Sequence, residues 1–169
     1  ILGALPFTFH YAFVRKKFLS PKLGKEVLTY FGILSGATIL FAGVSGLDPM
    51  QSAFYSVSAS TTAGLQIESL AGLSGGAHTI LIILMFIGGC GFSTAGGLKI
   101  FRLFHLRDVR AFISKVRRSE LPSQNKKEII STLIIIALFP IISAITGAHL
   151  AAIEDVPFQD AFFEAAGII

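Results

Sequence analysis

Apolar residues along the chain fall in long blocks separated by short polar stretches, with little of the alternation that marks a half-buried strand. A helix needs roughly 20 apolar residues to cross a bilayer, at about 1.5 Å of rise per residue. The pattern predicts the end of a membrane helix over residues 1–14, finished by Arg15, Lys16 and Lys17. Full spans are predicted over 26–47, 77–104 and 128–152. Gly32 and Gly36 form a small-xxx-small pair in the first of these, a pattern that favours close helix packing. Pro140 lies inside the third and predicts a kink. Residues 105–127 are basic and partly amphipathic, a linker suited to the membrane interface. The chain opens on Ile1 inside an apolar stretch and stops in mid-pattern at Ile169, so it reads as a fragment.

Charge distribution orients these spans. Every Lys and Arg lies in one of two segments, Arg15 to Lys25 or Lys99 to Lys127. Basic residues in short loops mark the cytoplasmic side. Asp48, Glu68, Glu154, Asp155, Asp160 and Glu164 fall in the stretches without basic residues and belong to the opposite side. The net charge of +4 is therefore read as topological. Binding of anionic lipid or a cytoplasmic partner is the secondary reading, and no nucleic-acid partner is expected. Only 14% of residues are charged, where a soluble domain carries about a quarter, which speaks against a soluble helical protein.

Parity then constrains residues 48–76. The span over 26–47 runs outward and the span over 77–104 must return, so the intervening segment begins and ends outside. Residues 53–63 are nonetheless too apolar and small for an ordinary outer loop. A re-entrant loop meets both demands. Asp48 suits an N-cap and Pro49 the first helical position, predicting a short pore helix over 49–60. Its partially negative C-terminal end points into the membrane, where it favours a cation. Thr61, Thr62, Ala63 and Gly64 follow, within a predicted extended stretch over 61–66 whose carbonyls turn to one side. Such backbone at membrane depth is tolerated only where protein buries it or water reaches it, and carbonyl rings are how potassium filters replace a hydration shell.

The same pattern recurs. PMQSAFYSVSA over 49–59 aligns with PFQDAFFEAAG over 157–167, matching Pro49 with Pro157, Gln51 with Gln159, Ala53 with Ala161 and Phe54 with Phe162. The repeat predicts a second pore helix over 157–167, its filter following the last residue, and implies span–pore helix–filter–span units around a central pore.

Gly88, Gly89, Cys90, Gly91, Phe92, Ser93, Thr94, Ala95, Gly96 and Gly97 lie inside the span over 77–104. Each glycine costs about 1 kcal/mol of helix propensity. Two bland accounts are a continuous helix packed very tightly and a nucleotide-binding loop. The second fails the phosphate-loop spacing, since Lys99 stands three residues after Gly96 and no strand precedes it. The sharper account is a helix interrupted beneath the filter to form a movable constriction, with Ser93 and Thr94 satisfying freed backbone groups. Cys90 has no partner at disulfide or metal-ligand spacing and reads as a small packed residue.

With these residues in view, the chain resembles the Trk/Ktr/HKT superfamily of potassium transporters. The resemblance rests on Ala53-Phe54 through Gly64 together with the run from Phe86 to Lys99, and Leu5-Pro6 through His10-Tyr11 is similar to the end of a preceding repeat. It implies an all-α polytopic membrane protein with four repeats per subunit, this chain holding the third and the opening of the fourth. It implies K+ coordinated by backbone carbonyls at Thr61, Thr62, Ala63 and Gly64, and a gate at Gly88 to Gly97. It further implies a homodimer in the cell membrane above a cytoplasmic nucleotide-binding regulatory ring, with no cofactor held by this chain. Ala63 stands where the family commonly has Thr, and Phe92 where a small residue is usual. A non-conducting membrane scaffold and a Na+-preferring member of the same superfamily are the alternatives. An enzyme is not expected, because His10, His78, His105 and His149 are scattered at predicted span ends without catalytic partners.

Overall fold

The structure, a computed structural model, describes residues 1–15, 20–67, 70–106 and 123–168. Residues 107–122 of the predicted linker, together with Lys16, Lys17, Glu68 and Ile169, lie outside them. Among the described residues there are α-helices and short 3-10 turns but no strand. The helices are α1 (Phe7–Val14), α2 (Pro21–Ser45), α3 (Pro49–Ser60), α4 (Gly75–Ile87), α5 (Ile100–Leu106), α6 (Ser123–Glu154) and α7 (Phe158–Ile168).

Local chemistry accounts for most boundaries. α2 starts at Pro21 rather than at residue 26, because Ser20 caps it by accepting from the Leu23 N–H at 3.3 Å and Pro21 needs no donor there. It ends where Gly46 turns left-handed, φ 69°, and donates its N–H to the Ala42 carbonyl. The Asp48 carboxylate accepts from the Met50 N–H at 3.0 Å, with Pro49 in the first turn of α3. Ser74 caps α4 through the Ala77 N–H. α6 takes in the polar residues from Ser123 and remains helical through Pro140.

Two clusters hold these elements together. Phe41 of α2, Tyr55 and Ala59 of α3, Leu81, Leu84 and Met85 of α4, and Phe163 and Ala166 of α7 form the first. The second joins Val27, Tyr30 and Leu34 of α2 to Ala4, Leu5, Cys90, Ala95 and Ile100. α7 folds back on α6 so closely that a Cβ on Gly147 would lie 2.9 Å from the Phe162 Cα. Gly32 and Gly36, by contrast, have nothing within 4 Å of an added Cβ, so the close packing predicted for them does not occur among the described residues.

Among the described residues two helical stretches, Pro21–Ser45 and Ile130–Glu154, are long and apolar enough to cross a membrane. Only 22% and 17% of their most apolar windows are buried in the chain, whereas the core helix of a soluble protein would be mostly covered. Leu28, Ile39, Leu40, Ile145 and Ile153 stand outward and exposed. Long apolar helices with uncovered apolar faces belong in lipid or against other membrane helices. The fold is that of an all-α membrane protein.

Candidate functional site

The centre of the chain is where two helices stop. α3 ends in a Schellman turn: the Thr62 N–H bonds the Ala59 carbonyl at 3.1 Å and the Ala63 N–H bonds the Ser58 carbonyl at 3.0 Å. Thr62 occupies the left-handed position of that turn, φ 50°, where glycine is usual. The Thr61 hydroxyl donates back to the Val57 carbonyl at 2.8 Å. Thr61 and Thr62 thus complete the helix end, and the irregular stretch begins at Ala63 rather than at Thr61. Gly64 is also left-handed, φ 66°. The Ser58 hydroxyl ties the stretch back to α3 by donating to the Leu65 carbonyl at 2.7 Å. Tyr30 of α2, 1% exposed, holds the same helix end through its hydroxyl, 3.1 Å from the Ser60 Oγ.

α4 stops at Ile87 and the helical path resumes at Ile100 as α5, so the continuous-helix account of the glycine run is excluded. Gly88 takes φ 67° and ψ −155°, a conformation open almost only to glycine. The returning chain satisfies the carbonyls that α4 leaves open: Leu98 N–H bonds Phe86 O at 2.7 Å, Lys99 N–H bonds Ile87 O at 3.1 Å, and Ile100 N–H bonds Gly89 O at 3.0 Å. At this neck a Cβ on Gly88 would sit 2.0 Å from the Gly96 carbonyl oxygen, and one on Gly97 2.5 Å from the Met85 carbonyl oxygen. The glycines are there because two backbones share one space.

The loop is gripped from several sides. Cys90 N–H donates to the Ala4 carbonyl at 2.9 Å, Thr94 N–H to the Gly3 carbonyl at 3.0 Å, and Phe7 N–H to the Phe92 carbonyl at 3.1 Å. The Glu26 carboxylate accepts from the Gly91 N–H. Lys99 turns its ammonium onto the loop, donating to the Ser93 carbonyl at 3.1 Å and to the Ala95 carbonyl. Lys99, which closes the run from Phe86, therefore acts within the loop as well as carrying basic charge. Ser93 in turn donates to the Cys90 carbonyl at 2.6 Å. Cys90 is fully buried, and Phe92, at φ 56°, stands 88% exposed at the tip. Beside the tip is a mainly apolar cavity of about 480 Å³, walled by Lys22, Glu26, Gly91, Phe92, Phe101 and Phe104.

The stretch Thr61 to Gly64 and the loop Gly88 to Gly97 meet at one point. The Gly96 N–H donates to the Thr62 Oγ1 at 2.8 Å, joining the end of α3 to the loop that breaks α4. Asp48 and Pro49 remain at the far end of α3, in the role of cap and first turn. α7 approaches the same neighbourhood through Phe163, which shares a crevice of about 30 Å³ with Gly64, Leu65 and Gln66. Glu26, Tyr30 and the segment Gly3 to Phe7 were not foreseen. A carboxylate close to the start of an apolar span was the one available signal for Glu26.

Irregular backbone between helices of a membrane protein is tolerated where protein buries it or a water-filled cavity reaches it, and the loop that breaks α4 has its freed groups satisfied by protein. The family model for TrkH, described as a cation transport protein, matches residues 27–166, and the chain belongs to that family of membrane cation transporters. Comparison with curated proteins found no match to the chain.

Proposed function

We propose that this chain is part of the pore-forming subunit of a potassium uptake system. In this reading Thr61, Thr62, Ala63 and Gly64 contribute backbone carbonyls to the path of K+, and the loop from Gly88 to Gly97 is the gate beneath them. The observation that carries it is the junction of Thr62 with Gly96, which sets a helix end and its irregular continuation directly on a broken helix. Ala63, Gly64, Leu65 and Gln66 are exposed in this chain, free to face further repeats around a pore. The C-terminal end of α3 adds a partial negative charge on the same side. Carbonyls so placed replace the hydration shell of a cation without any titrating side chain. The subunit sits in the cell membrane with its basic loops cytoplasmic and the start of α3 outside. It works as a homodimer with a cytoplasmic nucleotide-binding ring, as the family resemblance implies.

The test uses the complete protein. Gly64→Asp loses the left-handed glycine and adds a fixed charge to the path, so selective rubidium uptake should fall to background at unchanged membrane expression. Uptake of wild-type rate and selectivity would sink the filter assignment.

A further inference from the structure

Thr62 is an unfavourable residue for the place it occupies. A β-branched side chain in the left-handed region is strained, and the Schellman turn it closes would be met more easily by glycine. Two hydrogen bonds offset that strain. The Thr62 hydroxyl has one proton, which it donates to the Thr61 carbonyl at 2.8 Å. The same oxygen accepts the Gly96 N–H at 2.8 Å. Gly96 fits against it closely: a Cβ there would lie 3.1 Å from the Thr62 Oγ1 and 3.2 Å from its Cγ2. One hydroxyl therefore touches a carbonyl of the proposed filter on one side and the backbone of the proposed gate on the other.

We infer that loop docking and the orientation of the Thr61 carbonyl form a single equilibrium, linked through the Thr62 hydroxyl. The inference rests on the filter and gate reading above. With the loop docked, Gly96 fixes the hydroxyl and the hydroxyl holds the Thr61 carbonyl. With the loop withdrawn, the hydroxyl is free to rotate, one support of the left-handed turn is gone, and the carbonyl is released towards the ion. Linkage is reciprocal, so an ion that draws the Thr61 carbonyl to itself must weaken loop docking by the same factor. The gate would thus respond to the ion in the filter above it.

Cys90 is a built-in reporter, because it is fully buried in the docked loop and bonds the Ala4 carbonyl through its N–H. The experiment uses the complete transporter in nanodiscs, with any other reactive cysteines replaced. The rate of Cys90 modification by a soluble maleimide is compared in potassium chloride and in choline chloride at equal ionic strength. In the wild type, potassium should speed modification by about three- to tenfold, the range one neutral hydrogen bond can supply. Thr62→Val should be modified fast in both salts, and Thr62→Ser, which keeps the hydroxyl, should restore the difference. Gly96→Ala, which leaves the hydroxyl in place but wedges it, should behave as Thr62→Val does and serves if that variant does not fold. A wild-type rate indifferent to the ion overturns the inference, as does an ion effect that persists undiminished in Thr62→Val or Gly96→Ala. Failure of the underlying filter reading would appear separately, as normal rubidium uptake in Gly64→Asp.

Discussion

α3 and α4 both stop among buried neighbours, and the chain leaving each passes through a residue of positive φ, Thr62 at 50° and Gly88 at 67°. The two ends are made by different forces. Behind Gly88 there is no room, since an added Cβ would meet the Gly96 carbonyl oxygen at 2.0 Å. At Thr62 a full side chain is present, and its hydroxyl bonds the Thr61 carbonyl and the Gly96 N–H. One reversal is dictated by space and the other is held by polar contacts. The first should tolerate no substitution, while the second should respond to the loss of single bonds.

Gly88→Ala gives the largest expected effect. A non-glycine residue at φ 67°, ψ −155° costs about 1–3 kcal/mol, and forcing atoms into a filled site adds about 1–3 kcal/mol. The neck cannot simply widen, because Leu98, Lys99 and Ile100 are hydrogen-bonded across it to Phe86, Ile87 and Gly89. The complete protein carrying Gly88→Ala should show a large drop in thermal stability in detergent or fail to accumulate. A melting temperature equal to wild type would mean that the neck is looser than its geometry and that the contrast with Thr62 is false.

Glu26→Ala ranks next and probes the loop's lower anchor. The variant leaves the Gly91 N–H without its carboxylate, and a buried donor so orphaned costs about 1–3 kcal/mol. Glu26→Gln keeps an acceptor oxygen but loses the charge that strengthens the bond, so its effect should fall between Ala and wild type. Amide hydrogen exchange across the segment from Gly91 to Thr94 reports the result directly. Protection should decrease from wild type through Gln to Ala. Equal protection in all three would remove Glu26 from the set of loop anchors.

The same contrast explains what could be read without coordinates. Asp48 and Pro49 announce α3 because capping is local, and the glycine run announces a break because crowding selects glycine wherever it acts. Thr62 announces nothing. Left-handed turns usually advertise themselves with glycine, so attention falls on Gly64, and Thr61 and Thr62 are read as extended when they close a helix. The early start of α2 was legible in principle, as Ser20 and Pro21 form a cap pattern that Lys22 and Lys25 obscure by their polarity. Glu26 and Gly91 are far apart in sequence, and nothing local to either requires the other. Gly32 and Gly36 run in the opposite direction, since a packing pattern is present and no neighbour among the described residues uses it.

The smallest effect belongs to the contact that ties the polar helix end to α2. In Tyr30→Phe the ring remains packed against the second cluster and only the hydroxyl is lost. Ser60 keeps its bond to the Val57 carbonyl at 3.1 Å, so no donor is stranded and the loss should be about 0.5–1.5 kcal/mol. Ser60→Ala removes the other partner and leaves the phenol hydroxyl of a residue only 1% exposed without Ser60, which should cost more, about 1–3 kcal/mol. Because the two groups share one bond, the double variant should lose less than the two single losses together. Thermal unfolding of the three variants decides it. If Tyr30→Phe proves the costlier single change, or if the two losses add, then the hydroxyl pair is not what secures the end of α3. The polar half of the comparison would then rest on Thr62 alone.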